Sequence, residues 1–200
     1  GKPIRKKKAE ISASDYTRIR LLAHKIWCYF DEFACKEDNY LPPDNYQEDP
    51  PMGVAHRTSP TNIGLLLLSI LSAYDLGVIN VSSAIKRVEQ VITTIEKMPK
   101  WKGHLYNWYN SVTLETLKPE YISTVDSGNF VGYLMVLKEG LKDCVNSTIP
   151  TANQLQALKD IKMLAENKED HDYHRAEDAH EPLNLLEYLN LIDEYLEKGI

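Results

Sequence analysis

The sequence predicts an all-α fold, and within that class a partial α/α toroid, in which inner and outer helices pair and long polar loops connect them. Three observations lead there. Apolar residues recur at helical spacing through most of the chain. Segments apolar on nearly every side alternate with amphipathic ones, as buried inner and solvent-facing outer helices do. The alternation of period two that marks strands never extends beyond a few residues.

At 200 residues the chain has the size of one domain or a piece of one. We read residues 1–13 as a basic N-terminal tail and residues 14–200 as a single helical domain or a fragment of a larger toroid. The hydrophobic fraction of 43% supplies a core, and a net charge of -6 leaves no clustered basic surface of the kind nucleic acids need, so no nucleic-acid partner is expected. The run from Lys2 to Lys8 reads as a solvated tail. Ile63 to Leu71 is the most apolar stretch, far short of the roughly 20 residues that cross a bilayer. The opening Gly1-Lys2-Pro3, without an initiator Met or a signal-peptide pattern, reads as the start of an excised piece. Cys28, Cys35 and Cys144 are odd in number and include no Cys-x-x-Cys pair, which suggests reduced thiols in a cytoplasmic compartment. Neither a metal nor a cofactor is expected.

The first helix is capped by Ser14 or Asp15 and runs to about Ala34. Its stripe of Tyr16, Ile19, Leu22, Ala23, Ile26, Trp27, Tyr29, Phe30 and Phe33 is wide enough to predict a well-buried element. Residues 36–56 hold four prolines and several Asp and Asn residues, so they form a long loop. Loops of that length in a compact domain tend to be functional or disordered, and Tyr40 and Tyr46 argue for order. Asp44, Glu48 and Asp49 there can face a ligand or remain solvated.

Ser59 and Pro60 open a second helix, because a serine hydroxyl can cap the first turn and proline fits the first helical position. It continues from Ile63 to about Leu76, apolar on nearly every face, and Gly77 stops it. Its N-terminus carries partial positive charge, and Arg57 beside it either joins an anion or sugar site or pairs with a structural carboxylate. Asn80 or Ser82 starts an amphipathic third helix that Pro99 ends. Ser127 or Asp126 caps a fourth, from Asn129 to about Asn146, with Leu134, Met135, Leu137 and Leu141 as its apolar side and Gly132 permitting close packing. Thr151 caps a fifth, to about Asn167. The charged stretch 167–181 holds His171, His174 and His180 and reads as a solvated linker rather than a metal site. A last helix from Pro182 to about Lys198 buries Leu183, Leu186, Leu189, Ile192 and Leu196.

The stretch from Gly103 to Asn129 is the richest in chemistry. His104-Leu105-Tyr106-Asn107-Trp108-Tyr109 sets aromatic rings beside an imidazole and an amide, and Ser123-Thr124-Val125-Asp126-Ser127-Gly128-Asn129 feeds a helix N-terminus. Rings that stack on sugar C–H faces, with polar groups to fix the hydroxyls, are what a carbohydrate site requires, and aromatic clefts with converging polar groups are common ligand sites. The same stretch can instead be an ordered loop whose aromatics fill the core.

Four blocks carry a resemblance. They are Asn39 to Glu48 (NYLPPDNYQE), His56 to Gly64 (HRTSPTNIG), Gly103 to Tyr109 (GHLYNWY) and Val125 to Asn129 (VDSGN), and their order resembles that in the cyclic β-1,2-glucan synthases, within residues 14–143. The resemblance implies a segment that follows the glycosyltransferase region and opens the central cyclisation region. That region is similar to α/α-toroid glycosidases and cleaves and rejoins a β-1,2-glucan with retention at the anomeric carbon. It implies a place on the cytoplasmic face of a bacterial inner membrane within a large parent, with the parent's other domains as partners and a β-1,2-glucan or other glucosyl oligosaccharide as ligand. Trp108 and Tyr106 would stack on glucosyl rings. Asp44, Arg57, Thr58, Asn62, His104, Asn107 and Asn129 would bond hydroxyls. Asp126 is the candidate catalytic carboxylate, with a helix cap as its other reading, and most of the catalytic pair is expected outside the segment, leaving it inactive alone. A non-catalytic helical spacer is the other reading, favoured if Tyr106, Trp108 and Tyr109 are all buried. Exposure of the apolar helix Ile63–Leu76 in an interrupted toroid predicts self-association.

Overall fold

A computed structural model describes residues 11–146 and 151–166. Among the described residues five helices carry the fold: α1 Ala13–Phe33, α2 Pro60–Asp75, α3 Val81–Lys97, α4 Thr124–Asn146 and α5 Thr151–Glu166. Six two-residue strands pair antiparallel in three ladders: β1 Tyr46–Gln47 with β2 Gly53–Val54, β3 Arg57–Thr58 with β6 Tyr109–Asn110, and β4 Lys100–Trp101 with β5 His104–Leu105. Lys102 (φ 48°) and Gly103 (φ 86°) form the turn of the last ladder, where two successive positive φ values match the right-handed twist of a hairpin. The described residues fall into two compact units, 11–25 with 158–166, and 26–157. The expectation of one helical domain over 14–200 thus extends well beyond the described residues, and the helix expected from Pro182, the stretch with His171, His174 and His180, and Lys2 to Lys8 lie outside them.

The larger unit is built on α2. Ser59 Oγ accepts the Asn62 amide, Pro60 occupies the first turn, and Gly77 (φ 79°) follows the end of the helix, as the local sequence predicts. Asn80 caps α3 through the Ser83 amide at 2.8 Å. Ile63, Leu66, Leu67 and Ile70 are at most 2% exposed and sit in one core with Trp27, Leu41, Val91, Met98, Leu105, Tyr109 and Leu137. The expected exposure of this helix is therefore corrected: only Leu65, among its large apolar side chains, faces solvent substantially. The proline-rich loop is also part of the interior, since Leu41, Pro42 and Pro43 are fully buried. Tyr29 Oη holds it by donating to the Pro43 carbonyl at 2.9 Å.

Helices α2 and α4 run parallel and in register. Thr61 meets Asp126, Gly64 lies under the Tyr133 ring, and Gly140 faces Leu71, so the partner numbers rise together with offsets of 65–69 positions. A Cβ on Gly64 would stand 2.1 Å from Tyr133 Cδ2, and one on Gly140 would stand 2.2 Å from Leu71 Cδ2. Gly132, expected to allow close packing, has no heavy atom within 4 Å of such a Cβ, so the close approach belongs to Gly64 and Gly140 instead. With α3 packed on the same α2, the order is inner, outer, inner, as an α/α toroid requires.

Two apolar stripes are corrected. On α1, Tyr16, Ile19, Leu22 and Ile26 are all more than half exposed, while Arg20, His24 and Trp27 are buried. The stripe is wider than one contact face, and the side selected carries the residues with specific partners. Arg20 Nε donates to Asp160 Oδ2 at 2.7 Å in the smaller unit, and in the larger unit Trp27 lies under the Arg87 guanidinium, which also pairs with Asp31. On α4, Leu137 is buried and Leu134 and Leu141 partly so, but Met135 points to solvent.

Candidate functional site

Because α2 and α4 are parallel, their N-termini lie side by side, and the site is assembled there. Ser123 caps α4, accepting the Asp126 amide at 3.1 Å, so the cap is neither Asp126 nor Ser127. Asp126 is then in the first turn, where the helix dipole favours a carboxylate. Its Oδ1 accepts from Thr61 Oγ1 of α2 at 2.6 Å.

The segment between β5 and β6 delivers Asn107 against the other oxygen. Its side chain is buried, and with the amide oriented to suit its neighbours Nδ2 donates to Asp126 Oδ2 at 3.0 Å. Its Oδ1 accepts from Trp108 Nε1 and from Tyr121 Oη, both at 2.6 Å. Trp108 is half-buried, its indole N–H anchored and the Arg57 guanidinium 5.1 Å from its ring centre. Arg57 in turn donates Nε (3.0 Å) and Nη2 (2.7 Å) to Asp44 Oδ2, and Asn62 Nδ2 reaches Asp44 Oδ1 at 3.3 Å. Asp44, Arg57, Asn62, Asn107, Trp108 and Asp126, far apart in sequence, thus form one connected set of contacts. Thr61 and Tyr121 complete it; the sequence offered no sign of either, beyond Thr61 lying in the first turn of α2.

The remaining candidates stand apart. His104 is exposed on β5 and Asn129 is exposed on α4. Tyr106 is half-buried and packs edge-on against Tyr109, whose hydroxyl accepts the Tyr106 amide at 2.7 Å. Thr58 is fully buried, and its Oγ1 has no hydrogen-bond partner among the described residues, so it faces the interior rather than solvent. Tyr109 is fully buried, but Tyr106 and Trp108 are not, so the condition that would favour a spacer is not met. Burial, with the Asp44 charge as a lesser cause, pushes the Tyr29 hydroxyl up to about 12, so it stays a neutral donor to the loop.

A second cluster lay unseen in the sequence. The buried Asp38 accepts from His56 Nδ1 at 2.9 Å and from Ser111 Oγ, while the Ser111 amide donates to the His56 carbonyl. Asn39 Nδ2 adds bonds to the carbonyls of Ser111 and Val112, both 2.8 Å. The serine bonds the carboxylate rather than the imidazole, so this is an anchor for the loop and β6, not a nucleophilic triad. Among the described residues no group of acidic, His or Cys side chains could hold a metal ion, the three cysteines are unbridged, and no helix is long and apolar enough to cross a membrane.

The fold has a solved counterpart. A crystal structure of a candidate glucoamylase from Bacteroides fragilis NCTC 9343 superposes with a TM-score of 0.56 at 18% identity, covering 80% of this chain and 37% of that one. At that identity the likeness speaks for the fold alone, and it agrees with the helical toroid the sequence predicts. The chain matches no model of a known protein family. In sequence it is 48% identical over 127 residues, 64% of its length, to the cyclic beta-(1,2)-glucan synthase NdvB of Rhizobium meliloti (strain 1021), of which it spans 4%. The chain is therefore similar to a short segment of a cyclic β-(1,2)-glucan synthase, the family that its four sequence blocks resemble.

Proposed function

We propose that this chain contributes β-1,2-glucan-binding subsites to a larger enzyme that cleaves and rejoins glucan. The observation that carries the reading is the convergence of Asp44, Arg57, Asn62, Asn107, Trp108 and Asp126 at the shared N-terminal end of two parallel helices, with Trp108 only half-buried. In this reading the indole offers a stacking face, and the amides and carboxylates around it bond hydroxyls. Asp126 is the candidate for one member of a carboxylate pair. Retaining glycosidic chemistry sets two such groups about 5–5.5 Å apart, and the second is sought in the rest of the parent protein. The parent's other domains are the natural macromolecular partners, and its place at a membrane belongs to the same proposal.

The test is titration of linear β-1,2-glucooligosaccharides, followed by tryptophan fluorescence and amide chemical shifts. Saturable shifts confined to 39–62 and 103–129 are expected. Trp108→Ala should weaken binding roughly five- to thirtyfold, the scale of a lost stacking contact of about 1–2 kcal/mol, with the circular dichroism spectrum unchanged. Equal affinity in the variant refutes the stacking role. One observation favours a spacer instead: Arg57 covers one face of Trp108 and both Asp126 oxygens are already engaged. Absence of binding at millimolar sugar, in this chain and in a longer piece of the parent, would decide for that reading.

A further inference from the structure

Arg57 also borders a cleft of about 400 Å³, lined with it by Asn45, Gln47 and Met52 of the β1–β2 arm and by His56 and Leu117. That volume falls within the range of small-molecule sites, roughly 300–1,000 Å³. Of its polar side chains, Arg57 belongs to the set described above and Asn45 reaches it, Nδ2 donating to Asp44 Oδ2 at 3.2 Å, whereas Gln47 and His56 make no bond to it. We propose that this cleft is a separate subsite for a neutral, hydroxyl-bearing ligand, a further glucosyl unit, with His56 as its specifying residue; the identity of the sugar rests on the function proposed above, the class of ligand does not.

The class follows from donor and acceptor counting. Asp38 is buried and takes His56 Nδ1 at 2.9 and 3.1 Å to its two oxygens. A carboxylate can only accept from that nitrogen, so Nδ1 carries a proton, and in the neutral ring Nε2 is an acceptor. His56 is half exposed and borders the cleft, so that acceptor is accessible. Arg57 uses Nε and Nη2 on Asp44, and Nη1 makes no hydrogen bond among the described residues. With the ring neutral, the cleft therefore offers an acceptor at Nε2 beside a fixed donor. A hydroxyl group, which donates and accepts, matches both. Against the neutral ring a phosphate or carboxylate would meet a lone pair at Nε2, and in either ring state the Asp44 charge behind the guanidinium. Gln47 adds an amide group of either polarity, Asn45, whose Nδ2 donates to Asp44, adds its carbonyl oxygen, and Met52 and Leu117 give an apolar surface for a C–H face. Asp38 acts here as a positioning residue: it orients the ring and sets its tautomer.

The experiment uses the whole chain with ¹⁵N-labelled histidine and follows the His56 ring nitrogens while sophorose, a longer linear β-1,2-glucooligosaccharide, or inorganic phosphate is added. Two-bond correlations should show Nδ1 protonated in the free protein. The longer sugar should shift Nε2 saturably, and phosphate should not. His56→Phe should weaken the longer sugar roughly three- to tenfold, the scale of one lost hydrogen bond, and leave sophorose bound at Trp108 unchanged. A longer sugar that binds wild type and His56→Phe equally, with Nε2 unmoved, overturns this inference while leaving the Trp108 site intact. Phosphate shifting Nε2 overturns the assigned class, and no shift with any of the three overturns the subsite. The unmutated nitrogen shifts decide the matter even if His56→Phe fails to fold.

Discussion

The parallel seating of α2 on α4 can be tested by adding single methyl groups at three helical glycines. Glycine to alanine inside a helix stabilises by about 1 kcal/mol through backbone entropy when the space is open. At Gly132 it is open, so Gly132→Ala should raise stability by about 1 kcal/mol. At Gly64 the new Cβ would lie 2.1 Å from Tyr133 Cδ2 and 2.9 Å from Cγ. Those atoms are at the root of the ring, which cannot clear the methyl without changing χ1 or parting the helices. Overpacking of this sort costs about 1–3 kcal/mol, so after the propensity gain Gly64→Ala should lose roughly 0–2 kcal/mol. Gly140→Ala meets Leu71 Cδ2 at 2.2 Å, the far end of a flexible side chain, and should come out near zero. Urea unfolding followed by circular dichroism measures all three. The spread between Gly132→Ala and Gly64→Ala should reach roughly 1–3 kcal/mol, or about 2–12 °C in Tm for a chain of this size. If Gly64→Ala stabilises as much as Gly132→Ala, the helices do not approach closely at that point, and the alignment of their N-termini loses its basis.

Three further outcomes are expected. Asn107→Leu strips the partners from Trp108 Nε1, Tyr121 Oη and one Asp126 oxygen; it should cost roughly 2–4 kcal/mol by chemical denaturation, as unmade buried bonds do, and a loss under 0.5 kcal/mol would mean the network contributes little to stability. The fully buried Tyr109 hydroxyl donates to the Pro99 carbonyl, and burial pushes it up to about 12. An unfolded tyrosine ionises near 10, so this stabilisation is complete below pH 10 and is lost as pH rises from there toward 12; absorbance at 295 nm should show that phenol ionising together with loss of helix, and independent titration near pH 10 would contradict the burial. In the smaller unit burial holds His24 below the ordinary histidine range, against the pull of Asp160 at 3.3 Å and with Arg20 adding to the lowering. The unfolded chain therefore takes up that proton first, so the His24 contribution is complete above about pH 6.5 and is lost as pH falls through the lower, folded value. Tm should drop between pH 7 and 5, and His24→Leu should flatten the drop; an unchanged pH profile in that variant would assign the acid sensitivity elsewhere.

What could be read directly from the chain was local. Ser59-Pro60, Asn80 and Gly77 act on amides and carbonyls within a few residues of themselves, so the bounds of α2 and α3 followed from neighbours in sequence. The inner and outer characters of those two helices followed from composition, because a helix apolar all round must be enclosed. Most of the candidate site was named for its chemistry, through the clustering of Trp108, Asn107 and Asp126 near a helix start. Their partners were not legible. Thr61 meets Asp126 across 65 positions, and Asp38 meets His56 and Ser111 across 18 and 73. No pattern of short period can encode such pairings. Only the tertiary structure decided which side of α1 is buried, because a stripe of that width allows several packings and the partners of Arg20 and Trp27 choose one. It likewise decided that Gly64 and Gly140, rather than Gly132, carry the helix contact, since the value of a missing side chain depends on what stands opposite it.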